Sequence, residues 1–188
     1  MSVRPTSFNH TSMRQWRTFL GMVLSLLWSG TPGAAEVSEA AVKAVYIYNF
    51  VSFVEWPQKR DTATFPTFNI CTLGNDEVIT LIPGVIEGET LGRIPLQHIP
   101  LTTSDSLESC YILYLGTLDD ATLSQIRNAV DGRPLLTSSD QPGFAAAGGH
   151  IEFGLLRKRV HPIINRRSVE ASRLQVSAQL YRLATIVD

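Results

Sequence analysis

The sequence predicts an α/β protein: a three-layer sandwich in which helices cover both faces of a largely parallel sheet. Three observations carry that expectation. FNICTLG (68–74) and CYILYLG (110–116) are short and apolar almost throughout, as strands buried on both faces are. Segments with helical spacing of apolar residues lie between such runs. The two patterns alternate without a repeat, a low-complexity tract or an internal linker, which indicates one domain.

Ahead of the fold, Arg14 and Arg17 precede TFLGMVLSLLWSG, an apolar run with the length of a signal-peptide hydrophobic region. It is shorter than the roughly 20 apolar residues that span a bilayer. Pro32 breaks the run, and Gly33 and Ala35 supply small residues before a cleavage site, so residues 1–35 are expected to be removed after Ala35, with an uncleaved anchor as the alternative. No cysteine stands in TPGAAE, the stretch directly after the run, so no lipid anchor is expected. Removing 35 of the 188 residues leaves 153, the size of one domain spanning 36–188. Cleavage takes Arg4, Arg14 and Arg17 and no acidic residue, moving the net charge from −1 to −4. Nucleic-acid binding therefore has no support from bulk charge. The charge is uneven: residues 36–156 carry 6 basic and 15 acidic side chains, and residues 157–188 carry 7 basic and 2 acidic. The basic end reads as a solvated face, able to steer an acidic partner or a membrane surface.

Ser38 is placed to cap a first helix running to about Glu55, with Val42, Val45, Tyr46, Asn49, Phe50 and Phe53 at helical spacing. Val42, Val45, Phe50 and Phe53 are expected in the core. Trp56-Pro57 ends the helix, because the residue before proline is driven out of the α region. Tyr48 and Trp56 fall off the stripe and are the candidate partner-binding residues. FNICTLG is a strand feeding a turn at Gly74, and DEVITLI a brief helix with Asp76 and Glu77 favourable at its start. GRIPLQHI is a strand that Pro95 assigns to a sheet edge. CYILYLG is the clearest buried strand, and TLDDATLSQIRNAV a helix with Leu123, Ile126 and Val130 on one side. RPLLTSSD is a strand, QPGFAAAGG a glycine-rich connection, HIEFGLL a strand and RVHPIIN an extended segment; SVEASRLQVSAQLYRLATI supplies one or two closing helices.

Motifs that carry chemistry are sparse. GFAAAGG lacks the GxxxxGK[ST] order and leads into a strand, whereas a phosphate loop leads into a helix. Ser138, Ser139 and Asp140 end a strand where open α/β sheets hold ligands. Gly74, Ser139 and Asp140 are accordingly the ligand-cleft candidates, with capping and turn formation as the plainer role of the last two. His150 and Glu152 share one face of a strand, but zinc needs further donors, and the spacing does not bring His98 or His161 close. Both are expected at the surface. GxSxG, HExxH and CxxC are absent, and nothing points to a Ser–His–Asp triad. No catalytic, metal-binding or cofactor-binding residue is expected. Cys71 and Cys110, the two cysteines, read as a disulfide in an exported chain. Neither CxxC spacing nor a basic neighbour marks them as redox-active.

VKAVYIYNFVSFVEWP, FNICTLGND, CYILYLG and SSDQPGFAAAGGHIEF together resemble the YfiR-like periplasmic proteins (DUF4154), in order and spacing, from about Val42 to Ala184. The resemblance implies a non-catalytic periplasmic signalling regulator with an α/β fold and no cofactor. The family's namesake restrains an inner-membrane diguanylate cyclase by binding its periplasmic part, and an outer-membrane lipoprotein relieves that repression by sequestering it. Other members are fused to or encoded near sensor kinases. The implied partner is thus the periplasmic domain of a membrane cyclase or sensor kinase, with an outer-membrane lipoprotein as a second; membrane contact is expected only through partners. The family's strand disulfide carries over to Cys71 and Cys110. One stretch departs from the family pattern: Pro162 and Ile163 replace an aromatic and an acid, and Arg166-Arg167 follow. From the residues alone the alternative is a small-ligand-binding module with its cleft at the C-terminal ends of the strands, near Gly74 and Ser139.

Overall fold

Ser38 begins the fold as its sequence position suggests: its side chain accepts the Ala41 N–H at 3.1 Å and opens helix α1, Glu39–Phe53. The structure, a computed structural model, describes residues 37–57 and 66–188, and the expected cleavage after Ala35 lies outside the described residues. The helix stops two residues earlier than the proline rule implies. Val54–Glu55 (β1) leaves the helix as a short strand, paired antiparallel with Gln175–Val176 (β9). The buried stripe of α1 also differs from the expected one. It comprises Ala40, Lys43, Ala44, Ile47, Phe50 and Val51, whereas Val45 is 45% exposed and Val42 and Phe53 are only partly buried. The apolar residues of this helix surround it almost completely, so periodicity alone could not fix which side meets the sheet.

Eight strands form one sheet: β2 Phe68–Leu73, β3 Thr90–Leu91, β4 Ile94–Leu101, β5 Cys110–Leu115, β6 Leu136–Ser139, β7 Ile151–Leu156, β8 Arg159–Asn165 and β10 Thr185–Val187. Their order is β10-β8-β7-β6-β5-β2-β4-β3. Pairing is parallel except in the β3–β4 and β7–β8 hairpins. Helices α2 (Glu77–Ile86) and α3 (Asp120–Val130) follow β2 and β5; α4 (Arg166–Ala171) and α5 (Ala178–Arg182) are short. Asp76 caps α2 through the Ile79 N–H, and Asp119 caps α3 through the Thr122 N–H, both at 2.9 Å.

Alternation along β2 separates the two cores, because successive strand residues face opposite sides. Phe68 and Ile70 join Ile112, Tyr114, Leu136 and Ile151 beneath α1 and α2. Cys71 and Leu73 join Leu113 and Leu115 beneath α3. The result is the three-layer sandwich the sequence predicts. Cys71 and Cys110 are disulfide-bonded across the adjacent central strands β2 and β5, with Cα atoms 5.8 Å apart. Pro95 lies in the edge hairpin as expected, opposite Thr90.

The C-terminal region holds two strands, β9 and β10, where only helices were expected. Strand β10, three residues long, is too short to register as a pattern, and it adds to the sheet edge in parallel with β8. Its pairing begins at Ile163↔Thr185, one residue past Pro162. The proline therefore sits in β8 where only β7 neighbours it, and its missing N–H leaves no gap in the β10 ladder.

Candidate functional site

At the C-terminal ends of the parallel strands, polar groups converge and bond to one another. Gly74 follows β2 with φ +99°, a conformation open to glycine, and a side chain there would crowd the Thr117 carbonyl at 3.1 Å. Gly116 follows β5 and donates its N–H to Leu73 O at 2.9 Å. Tyr114 donates its hydroxyl to Asp76 Oδ2 at 2.7 Å. Burial first, and then this bond to Asp76, pushes the Tyr114 phenol far above its ordinary pKa. Lys43, buried on α1, reaches Glu39 Oε1 at 2.6 Å and Asp140 Oδ2 at 2.9 Å. Burial alone pulls the ammonium pKa down, but the hydrogen bonds and charges of the two carboxylates outweigh it and hold it above its usual value. Of the three cleft candidates, Asp140 is thus tied to Lys43. Ser139 Oγ accepts the Gln141 N–H at 3.2 Å and shapes a turn, as does Gly74. Ser138 Oγ, alongside, is buried without a hydrogen-bond partner among the described residues. Sequence reasoning did not single out Lys43 or Tyr114, and it placed Asp76 only at the start of α2. A lone lysine between Ala40, Ala44 and Ile47 is the signal that could have found Lys43.

His150 and Glu152, expected at the surface, are buried, with 3% and 8% of their area exposed. Glu152 serves the glycine-rich connection between β6 and β7, and His150 ties β6 to the end of α4. Glu152 Oε1 accepts the Gly143 N–H and Oε2 the Ala145 N–H, each at 3.1 Å. The loop amides do converge on an anion, as a phosphate loop's would, but the anion is the chain's own carboxylate. Phe144 fills the space beside Gly149, where a Cβ would collide with its ring. On the other side His150 Nδ1 accepts the Thr137 N–H at 3.1 Å, which leaves the ring proton on Nε2, 2.9 Å from Ser172 Oγ. Strand periodicity correctly put the two side chains on one face; it could not say that a loop and α4 would cover that face. Among the described residues no three His, Cys, Asp or Glu side chains gather as a metal site would need.

Burial lowers the His150 pKa from 6.5 to about 4, outweighing the Ser168 carbonyl and Asp131, which favour the charged ring. In the unfolded chain the ring takes up a proton as the pH falls through its ordinary value, while the folded protein resists protonation down to about pH 4. The stability is therefore complete above about pH 6.5 and is lost as the pH falls toward 4, by roughly 3 kcal/mol in all. Melting temperatures across this range are expected to fall, and His150→Gln to flatten that part of the profile.

Tyr48 on α1 and Trp56 beyond its end are half-buried. Tyr48 donates its hydroxyl to Glu89 Oε2 at 2.7 Å, bridging α1 to the turn after α2. Trp56 packs edge-on to Phe68 and Tyr111, with centroids 5.1 and 5.9 Å away, and its indole N–H donates to the Tyr111 carbonyl at 3.2 Å. Trp56 therefore has a packing role the sequence did not suggest, beside whatever surface it presents.

The family model described as DUF4154, YfiR/HmsC-like, matches residues 40–185. No curated protein matches significantly.

Proposed function

The chain belongs to the YfiR/HmsC-like family, and on that premise we propose that it is an exported, non-catalytic signalling regulator that binds and restrains the periplasmic part of an inner-membrane diguanylate cyclase or sensor kinase. The observation that carries this is the extent of the match, residues 40–185, from the second residue of α1 to the first of β10. The inward-turned polar groups support it: Lys43 with Asp140, Tyr114 with Asp76 and Glu152 with its loop satisfy one another, as a scaffold's do. Recognition then falls to the surface, where aromatic anchors supply most of the binding energy. Tyr48 is a cleaner anchor to test than Trp56, because its hydroxyl's bond to Glu89 lies at the exposed surface. Sequestration of the regulator by an outer-membrane lipoprotein would relieve the restraint.

Deleting the gene is expected to raise cyclic-di-GMP or the output of a cognate kinase. The tagged protein is expected to bring that cyclase or kinase down from solubilised inner membranes. Tyr48→Ala is expected to weaken the capture while leaving a folded, exported protein with a melting temperature close to the parent's. Unchanged cyclic-di-GMP and kinase output in the deletion strain would sink the proposal.

A second reading, a small-ligand module, rests on Ser138 Oγ, a buried hydroxyl at the strand ends without a partner among the described residues. A metabolite that raises the melting temperature of the parent but not of Ser138→Ala would favour it.

A further inference from the structure

Strands β7 and β8 form a hairpin in which Leu156 pairs with Arg159 across a two-residue turn, Arg157–Lys158. Both turn residues have positive φ, 51° and 63°, the type I′ geometry that suits a tight antiparallel hairpin. Consecutive strand residues point to opposite sides, yet Leu155 and Leu156 are 59% and 54% exposed. The hairpin end is therefore apolar on both sides and carries three consecutive cations at its apex. Beside this end Tyr46, Leu156, Val160 and Leu183 line an open groove of about 600 Å³, with Arg157 and Arg159 also at its walls. Between Glu152 and Glu170 the chain has five cations, Arg157, Lys158, Arg159, Arg166 and Arg167, and no acidic residue.

A protein partner docked on one side of this hairpin would leave the other leucine in water. A lipid headgroup layer instead surrounds a projecting tip, accepts apolar side chains at its acyl boundary and, when anionic, attracts the cations beside them. We infer that the β7–β8 hairpin is a docking element for an anionic phospholipid surface, an inference that rests on the proposed function only in setting the chain beside an inner membrane. Membrane contact would then be direct as well as through partners. The basic C-terminal charge of the sequence would have a membrane as its counterpart.

Flotation of the purified chain with vesicles tests this with no cyclase or kinase present. Vesicles of phosphatidylcholine alone are compared with vesicles to which phosphatidylglycerol is added. Binding is expected only with phosphatidylglycerol and is expected to weaken as salt screens the charges. Arg157→Asn with Lys158→Gly removes both turn cations and supplies the Asn-Gly pair that type I′ turns favour, so the hairpin is kept. At on the order of fivefold per cation, that variant is expected to bind roughly 25-fold more weakly. Leu155→Ser with Leu156→Ser is expected to abolish the binding that remains at high salt. The inference is overturned if the parent binds neither vesicle, if it binds both equally, or if the Asn-Gly variant binds like the parent. Signalling in the deletion strain is measured separately, so either proposal can fail without the other.

Discussion

Phe50→Ala is expected to remove about 3–5 kcal/mol of stability, enough to abolish accumulation of a marginally stable domain. Phe50 is fully buried at the centre of the α1 stripe, and its ring stacks on Phe153 of β7 with centroids 5.9 Å apart and planes within 8°. Truncation would open a cavity between the first helix and the sheet, beneath Tyr46, whose ring also meets Phe153 at 6.0 Å. The informative control is Val45→Ala on the same helix. Sequence periodicity puts Val45 in the core, but the folded chain leaves it 45% exposed, so its truncation is expected to change stability by less than about 1 kcal/mol. Urea denaturation of the two variants reads the difference. A Val45→Ala loss as large as that of Phe50→Ala would show that the helix is rotated relative to the sheet.

Replacing Cys71 and Cys110 together by serine is expected to remove about 4 kcal/mol. The bridge closes a loop with a sequence separation of 39, and the lost closure entropy of the unfolded chain grows with the logarithm of that length. Both positions are fully buried, so the hydroxyls would also lack water, making the loss larger. Oxidised protein is expected to show no alkylatable thiol without reductant, and adding reductant is expected to lower its melting temperature toward that of the serine variant. An unchanged melting temperature would place the stability of the β2–β5 pair in its packing alone. Because the bridge lies in the core under α3, any effect on signalling is expected to follow the amount of folded protein.

The sequence by itself determined the strand–helix alternation, the doubly buried strands β2 and β5, the edge position of Pro95, the cap at Ser38 and the acidic start of α2. Each depends on residues within a few positions of one another, and backbone geometry links such neighbours directly. The family could be read for a related reason, since ordered blocks of residues survive in one dimension. Only the tertiary structure decided which side of α1 meets the sheet, because a helix apolar around most of its circumference is oriented by what it packs on. Lys43 is the extreme case: it lies on the buried stripe because Asp140, 97 positions away, is there to receive it. His150 and Glu152 needed the third dimension as well. Their alternation shows that they share a face, but burial depends on what covers that face, and here Glu152 is enclosed by the very loop whose amide groups it binds. Strand β10 was equally out of reach: three residues become a strand only when β8 offers its edge, and hydrogen bonds to a distant segment leave no periodic trace in so short a run.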